Sequence, residues 1–169
     1  MSLVKIKPMS TDQIKGKLMK YKKGDCLSIK CKNTKYLAVL ITEKFNNYYD
    51  FTLLEYYKEE KPTIKNFEIG RVFGTRFGSW EELEYAVDKR MLECTYVDQN
   101  IDIEFVCSLD LINNIGKASY SYVKNIEELE EYYLKEIPIR IEKTINAEKF
   151  PSLAFVGRHL IEIKVLIKC

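Results

Sequence analysis

Hydrophobic and polar positions alternate first between Gly24 and Cys31, in GDCLSIKC. Leu27, Ile29 and Cys31 fall on one side and Ser28 and Lys30 on the other, the period of a strand. KYLAVLIT (Lys35–Thr42) is apolar almost throughout, which predicts a strand covered on both faces. Asn33 and Thr34 between them fit a tight hairpin connection. YYDFTLLEYY (Tyr48–Tyr57), entered through Asn46 and Asn47, predicts a third, aromatic-rich strand. Three strands joined by short turns predict an antiparallel meander, curled enough to suit a small barrel.

After the loop marked by Lys61, Pro62 and Asn66 comes GRVFGTRFGSW. Val72 and Phe73 fit a short strand, with Gly70 and Gly74 permitting bends. Ser79 and Glu82 have the spacing of a capping box. Trp80, Leu83, Val87 and Met91 follow at helical intervals, so a packed helix is expected over about residues 80–91, with Lys89 and Arg90 near its end. LECTYV (Leu92–Val97) and IDIEFVC (Ile101–Cys107) read as strands, the second with Ile101, Ile103, Phe105 and Cys107 on one side.

Asn113 to Gly116 resembles a boundary. Beyond it, Asn125 caps a helix through Glu128, with Ile126, Leu129 and Tyr133 as its apolar stripe, ending before Pro138. IPIRIEKTI (Ile137–Ile145) predicts an edge strand, and His159, Ile161, Ile163, Val165 and Ile167 share one face of a last strand. Ser10 to Tyr21 fits a short helix weakened by Gly16. The expected class is therefore α+β: a curled antiparallel sheet, a helix at about 80–91, and a C-terminal helix-plus-strands extension. The expected organisation is an N-terminal segment 1–22, a core 23–115 and an extension 116–169 packed on that core as one unit.

Composition narrows the chemistry. Among 169 residues the net charge is +2, which argues against a dominant phosphate-binding surface. No run approaches the ~18 apolar residues of a membrane span, and the first residues lack the apolar stretch of a signal peptide. The expectation is a cytoplasmic protein with reduced thiols. Cys26, Cys31, Cys94, Cys107 and Cys169 form no Cys-x-x-Cys pair, and His159 is the only imidazole. Neither a zinc site nor any other metal or cofactor is expected.

GRVFGTRFGSW matches neither a dinucleotide loop nor a Walker loop. A glycine-allowed turn into a capped helix anchored by Trp80 explains it; an anion held beside Arg71 and Arg76 is the competing reading. Asp25 and Glu43 lie on neighbouring predicted strands, but Asp25 after Gly24 is more simply a turn residue bonding its own backbone. The paired tyrosines Tyr48, Tyr49, Tyr56 and Tyr57 put one ring on each face of a strand, and exposed tyrosine favours protein interfaces. The acidic run Glu127, Glu128, Glu130 and Glu131 works against single-stranded nucleic acid stacking on those rings.

GDCLSIKCKNTKYLAVLI, the aromatic strand after it, and GRVFGTRFGSWEELEYA resemble one family of predicted immunity proteins from bacterial polymorphic toxin systems. The resemblance spans about Lys23 to Leu111. Gly24, Asp25, Phe73, Gly74, Gly78, Ser79 and Trp80 match the family's turn, strand and helix-start features. Leu27 stands where the family has an aromatic or large apolar residue, a mild departure. The resemblance brings no catalytic residue. It implies a binder that blocks a cognate protein toxin, with the tyrosines and the acidic run as contact candidates. If the toxin is a nuclease, Glu127–Glu131 or Glu59 and Glu60 would mimic phosphates. The alternatives are a small barrel ribonuclease using Asp25 with Arg71 or Arg76, and a nucleic-acid or adaptor module.

Overall fold

Parity along the first three strands organises the molecule. The structure, a computed structural model, describes residues 20–76, 85–139, 142 and 160–169. β1 (Asp25–Lys30), β2 (Tyr36–Lys44) and β3 (Tyr48–Lys58) pair antiparallel in sequence order. Leu27, Ile29, Leu37, Val39, Ile41, Tyr49, Phe51 and Leu53 enter one buried cluster. Cys26, Ala38, Leu40, Leu54 and Tyr56 enter a second. The continuous apolar run of β2 thus feeds both clusters, as a doubly covered strand must. Thr34 turns the β1–β2 connection at φ 70°, and the Cys31 amide donates to the Lys35 carbonyl at 2.8 Å, so the tight hairpin is present.

The first cluster is roofed by α2 (Cys94–Gln99) and α3 (Ile126–Glu131), which contribute Cys94, Val97, Ile126 and Leu129. The second is covered by Phe67 of α1 (Ile64–Glu68), Ile161 of β8 (Leu160–Glu162), and Ile163 and Leu166 of a closing 3-10 turn (Ile163–Leu166). α3 begins as its sequence predicts, with Asn125 Oδ1 accepting the Glu128 amide at 3.0 Å.

Four more strands extend the sheet: β4 (Arg71–Arg76), β5 (Tyr85–Glu93), β6 (Ile103–Ser108) and β7 (Ile115–Tyr122). Their order is β6-β1-β2-β3-β4-β5-β7, with β8 attached to β4. β3 pairs with β5 over Tyr48–Phe51 and with β4 at Leu54, so β4 wedges between them at one end only. This fork curls the sheet, and β6 and β7 stand at its two ends, so it does not close. The fold is α+β with a curled sheet, and every pairing is antiparallel except β5 with β7.

The helix expected over 80–91 is corrected: Tyr85–Glu93 is a strand. Val87 and Met91 are four apart, and four is a multiple of the strand period as well as near a helical turn, so they share a face either way. The slot between β3, β4 and β7 decides the matter, and it buries Asp88, Lys89 and Arg90 rather than leaving them at a solvated helix end. Gly78, Ser79, Trp80 and the expected capping box lie outside the described residues, as do Ser10–Met19 and His159.

Other expectations shift too. Of the strand expected over Leu92–Val97, only Leu92 and Glu93 belong to one; the chain then turns into α2. Of the edge strand expected over Ile137–Ile145, Ile137–Ile139 instead continue the helical path of α3, and all but one of the remaining residues lie outside the described residues. Ile101 is 90% exposed and Phe105 54%, so only Ile103 of that expected apolar face is fully buried. The last strand stops at Glu162, although Ile161 and Ile163 are both buried. β7 was not anticipated: its Ile115 and Gly116 fall where the sequence suggests a boundary.

Candidate functional site

The register of three strands gathers one group of side chains on the second face of the sheet. Asp50 of β3 pairs with Met91 of β5, and Tyr48 with Glu93. Lys89 pairs with Tyr120 of β7, and Met91 with Tyr122. Partners across a ladder point to the same side, so Tyr48, Asp50, Lys89, Met91, Tyr120 and Tyr122 form one patch.

Its floor is charged and buried. Asp50 is 0% exposed and Lys89 4%. The Tyr120 hydroxyl donates to Asp50 Oδ1 at 2.9 Å and lies 2.9 Å from Met91 Sδ. The Lys89 ammonium donates to the Ile115 carbonyl at 3.1 Å. Asp50 Oδ2 and Thr52 Oγ1 are buried without a hydrogen-bond partner among the described residues. Burial raises the Asp50 pKa, and the Tyr120 hydrogen bond and the nearby Lys89 and Lys117 oppose that rise. Burial likewise lowers the Lys89 pKa, against the pull of Asp50. The Tyr120 phenol is pushed up to about 12 by burial and by Asp50.

The rim is aromatic and open. Phe45 is 44% exposed, Tyr120 38% and Tyr122 45%. Lys117 sits 4.1 Å over the Tyr120 ring and 6.0 Å from that of Phe45. Tyr48 meets Tyr122 edge-on with ring centroids 5.7 Å apart. These contacts restrict the rings to set positions.

Of the tyrosines singled out from sequence, only Tyr48 joins this patch. Tyr49 is buried, donating to Asp98 at 2.8 Å and accepting from the Tyr21 amide at 2.9 Å. Tyr56 is buried with its hydroxyl on the Glu60 carbonyl at 2.5 Å. Tyr57 is half-buried on the opposite face, donating to Glu130, with its ring tilted against that of Tyr133 at a centroid distance of 5.5 Å. One ring of each pair, Tyr48 and Tyr57, is partly open to solvent, and the other, Tyr49 and Tyr56, is buried.

The acidic run lies on α3 and is largely engaged. Glu127 pairs with Lys32 at 3.2 Å, Glu131 with Lys135 at 3.0 Å, and Glu130 accepts from Tyr57. Glu128 and Glu131 also line a cavity of about 540 Å³ with Arg90, Ser121, Tyr132 and Lys135. Arg90 donates to Ser119 and Ser121 and lies 4.1 Å over the Tyr132 ring.

The residues of the ribonuclease reading are not brought together. Asp25 is buried at the start of β1, its Oδ2 taking the Lys22 amide at 3.0 Å across the turn that runs through Gly24. Arg71 is ion-paired to Glu55 at 2.6 Å on β4, with β2 and β3 between. Phe73 packs in the first cluster, edge-on to Tyr133 at 5.8 Å, and Gly74 faces Val87 across the β4–β5 pair. Among the described residues, no group of three or more His, Cys, Asp or Glu is placed to hold a metal. Among the same residues, no helix is long and apolar enough to cross a membrane.

Sequence reasoning missed Phe45, Asp50, Lys89, Lys117, Tyr120 and Tyr122. The available signal was the alternation of Ser119, Tyr120, Ser121 and Tyr122, which sends two aromatic rings to one side of a strand. Comparison with family models, with curated proteins and with solved structures returns no match.

Proposed function

We propose that this chain is a non-enzymatic protein-binding module, an immunity protein that neutralises a cognate bacterial toxin in the cytoplasm by direct contact. Its contact surface is the aromatic patch built on Asp50. The observation that carries this reading is the aromatic rim in which exposed Phe45 and Tyr120 flank Lys117 and exposed Tyr122 rests edge-on against Tyr48. Tyrosine offers large amphipathic area at low conformational cost and is enriched at protein interfaces. The patch mixes Lys117 and Lys89 with Asp50 and Glu43, which suits a protein partner better than a polyanion. A nucleophilic role for Cys31 or Cys94 gains no support, because burial pushes the Cys31 pKa to about 12 and that of Cys94 to about 11.

The test is co-expression with the product of the adjacent upstream reading frame, scored by growth and co-purification. Rescue by the wild-type chain, lost in Phe45→Ala/Tyr122→Ala and kept in Glu127→Lys/Glu128→Lys, is the expected result. Rescue lost only in the glutamate variant would move the surface to α3. A harmless neighbour, or toxicity without rescue or binding, would remove the immunity reading. Metal-independent cleavage of total RNA, abolished by Arg76→Ala, would put the ribonuclease reading in its place.

A further inference from the structure

Cys26 of β1 and Cys107 of β6 stand directly opposite each other in the antiparallel pair. They are 81 positions apart in sequence, and nothing in their spacing announces a pair. Opposed residues in such a ladder have Cα atoms roughly 4.5–5.5 Å apart, inside the roughly 4.4–6.8 Å range that a disulfide spans. Both are free thiols on opposed positions of the ladder, where partners point to the same side. The Cys26 thiol also reaches the Gly24 carbonyl at 3.7 Å. Their exposures differ in a useful way: Cys26 is 0% exposed, whereas Cys107 is partly open on the terminal strand of the sheet.

We propose that Cys26 and Cys107 form a reversible cross-strand disulfide that staples β6 to β1 when the protein meets a small-molecule disulfide oxidant. Cys107 is the accessible partner and reacts first. Its thiolate attacks one sulfur of the small disulfide, expelling one thiolate and leaving a mixed disulfide on the protein. Cys26 loses its proton as it attacks the Cys107 sulfur, which breaks the mixed disulfide and expels the second small thiolate. Two protein thiols are oxidised, one disulfide is reduced to two thiols, and the two protons go to the expelled thiolates. Burial raises the pKa of both thiols, so closure is slow at neutral pH and accelerates as pH rises.

The staple has a structural consequence. β6 is a terminal strand, and its register on β1 shifts at a bulge between Cys26 and Leu27. A covalent tie beside that bulge fixes the register and closes a long loop, which constrains the unfolded chain.

The experiment uses the full chain carrying Cys169→Ser, so that the exposed terminal thiol cannot link two molecules. The folded protein is incubated with oxidised glutathione at mildly alkaline pH, then analysed by intact mass and by peptide mapping without reduction. The expected result is loss of two hydrogens, a linked peptide pair holding Cys26 and Cys107, and a thermal midpoint raised by roughly 5–10 °C. Reduction reverses all three, and adding Cys107→Ser prevents them. A stable glutathione adduct on Cys107 with no linkage would overturn the proposal, because Cys26 then fails to reach it. Retention of all free thiols would overturn it as well. Should Cys107→Ser fold poorly, Cys26→Ala serves as the second blocking variant, read by the same peptide map.

Discussion

The hydroxyl of Tyr120 donates to Oδ1 of Asp50 at 2.9 Å, tying β7 to β3 across the intervening β5. One bond thus links the terminal strand to the buried floor of the aromatic patch. Among the described residues it is also the only hydrogen bond on the Asp50 carboxylate, since Oδ2 has no partner there. Tyr120→Phe keeps the ring and strips that bond, leaving a buried carboxylate bare. The expected loss is about 1–3 kcal/mol, read as a lower urea midpoint with an unchanged m-value. Asp50→Asn in the Tyr120→Phe background should cost less than in the wild type, because the coupling is already gone.

Acid stability should carry the mark of Asp50. Its pKa is raised in the folded state, above the unfolded value of about 3.9, so the native chain holds this proton more tightly. Its stabilising effect is full below the unfolded pKa and is lost as pH rises through the folded pKa. Urea titrations across that window should show a falling contribution in the wild type and a flatter one in Asp50→Asn. Identical slopes for the two proteins would contradict the assignment.

At the alkaline end the same sign applies to tyrosine. Tyr120 and Tyr133 are pushed up to about 12, while unfolded phenols titrate near 10. The native state keeps protons that the unfolded chain releases, so stability falls as pH climbs from about 10 through about 12. The lowered pKa of Lys89 acts with the opposite sign, and its effect is complete once pH passes the unfolded lysine value of about 10.4, so it does not offset the loss above that. Tyrosinate absorbance should therefore rise in two stages, the later one together with loss of circular dichroism. A single stage near pH 10 with intact secondary structure would contradict it.

Gly24 precedes β1 at φ +95°, and a Cβ there would lie 2.0 Å from the Leu109 carbonyl oxygen. That carbonyl cannot simply move away, since the Leu109 amide donates to the Gly24 carbonyl at 2.8 Å. Gly24→Ala should cost more than the ~1 kcal/mol of left-handed strain alone, with about 3 kcal/mol or total loss of soluble expression expected. Gly24→Ala with wild-type thermal stability would show that the turn can relax.

Asn125→Ala removes the cap that accepts the Glu128 amide, at an expected cost of about 1 kcal/mol. Asn125→Ser or Asn125→Asp should recover most of it in the same thermal melt. Failure of both to recover it would mean that Asn125 acts through something other than its cap.

Local pattern settled a good deal of this protein. The apolar run of β2 requires two covered faces, Asn33 and Thr34 make the hairpin, and Asn125 opens α3. Each depends on neighbours within a few residues, where backbone preference and period suffice. Tertiary structure decided the rest. Tyr85–Glu93 became a strand because β3, β4 and β7 supply ladder partners on both sides, and a spacing of four suits either period. Arg90 could be buried only because Ser119, Ser121 and Tyr132, all distant in sequence, meet its guanidinium. The patch around Asp50 and the opposition of Cys26 to Cys107 arise from register between strands far apart in the chain. Register is a property of pairing, and no short stretch of sequence contains it.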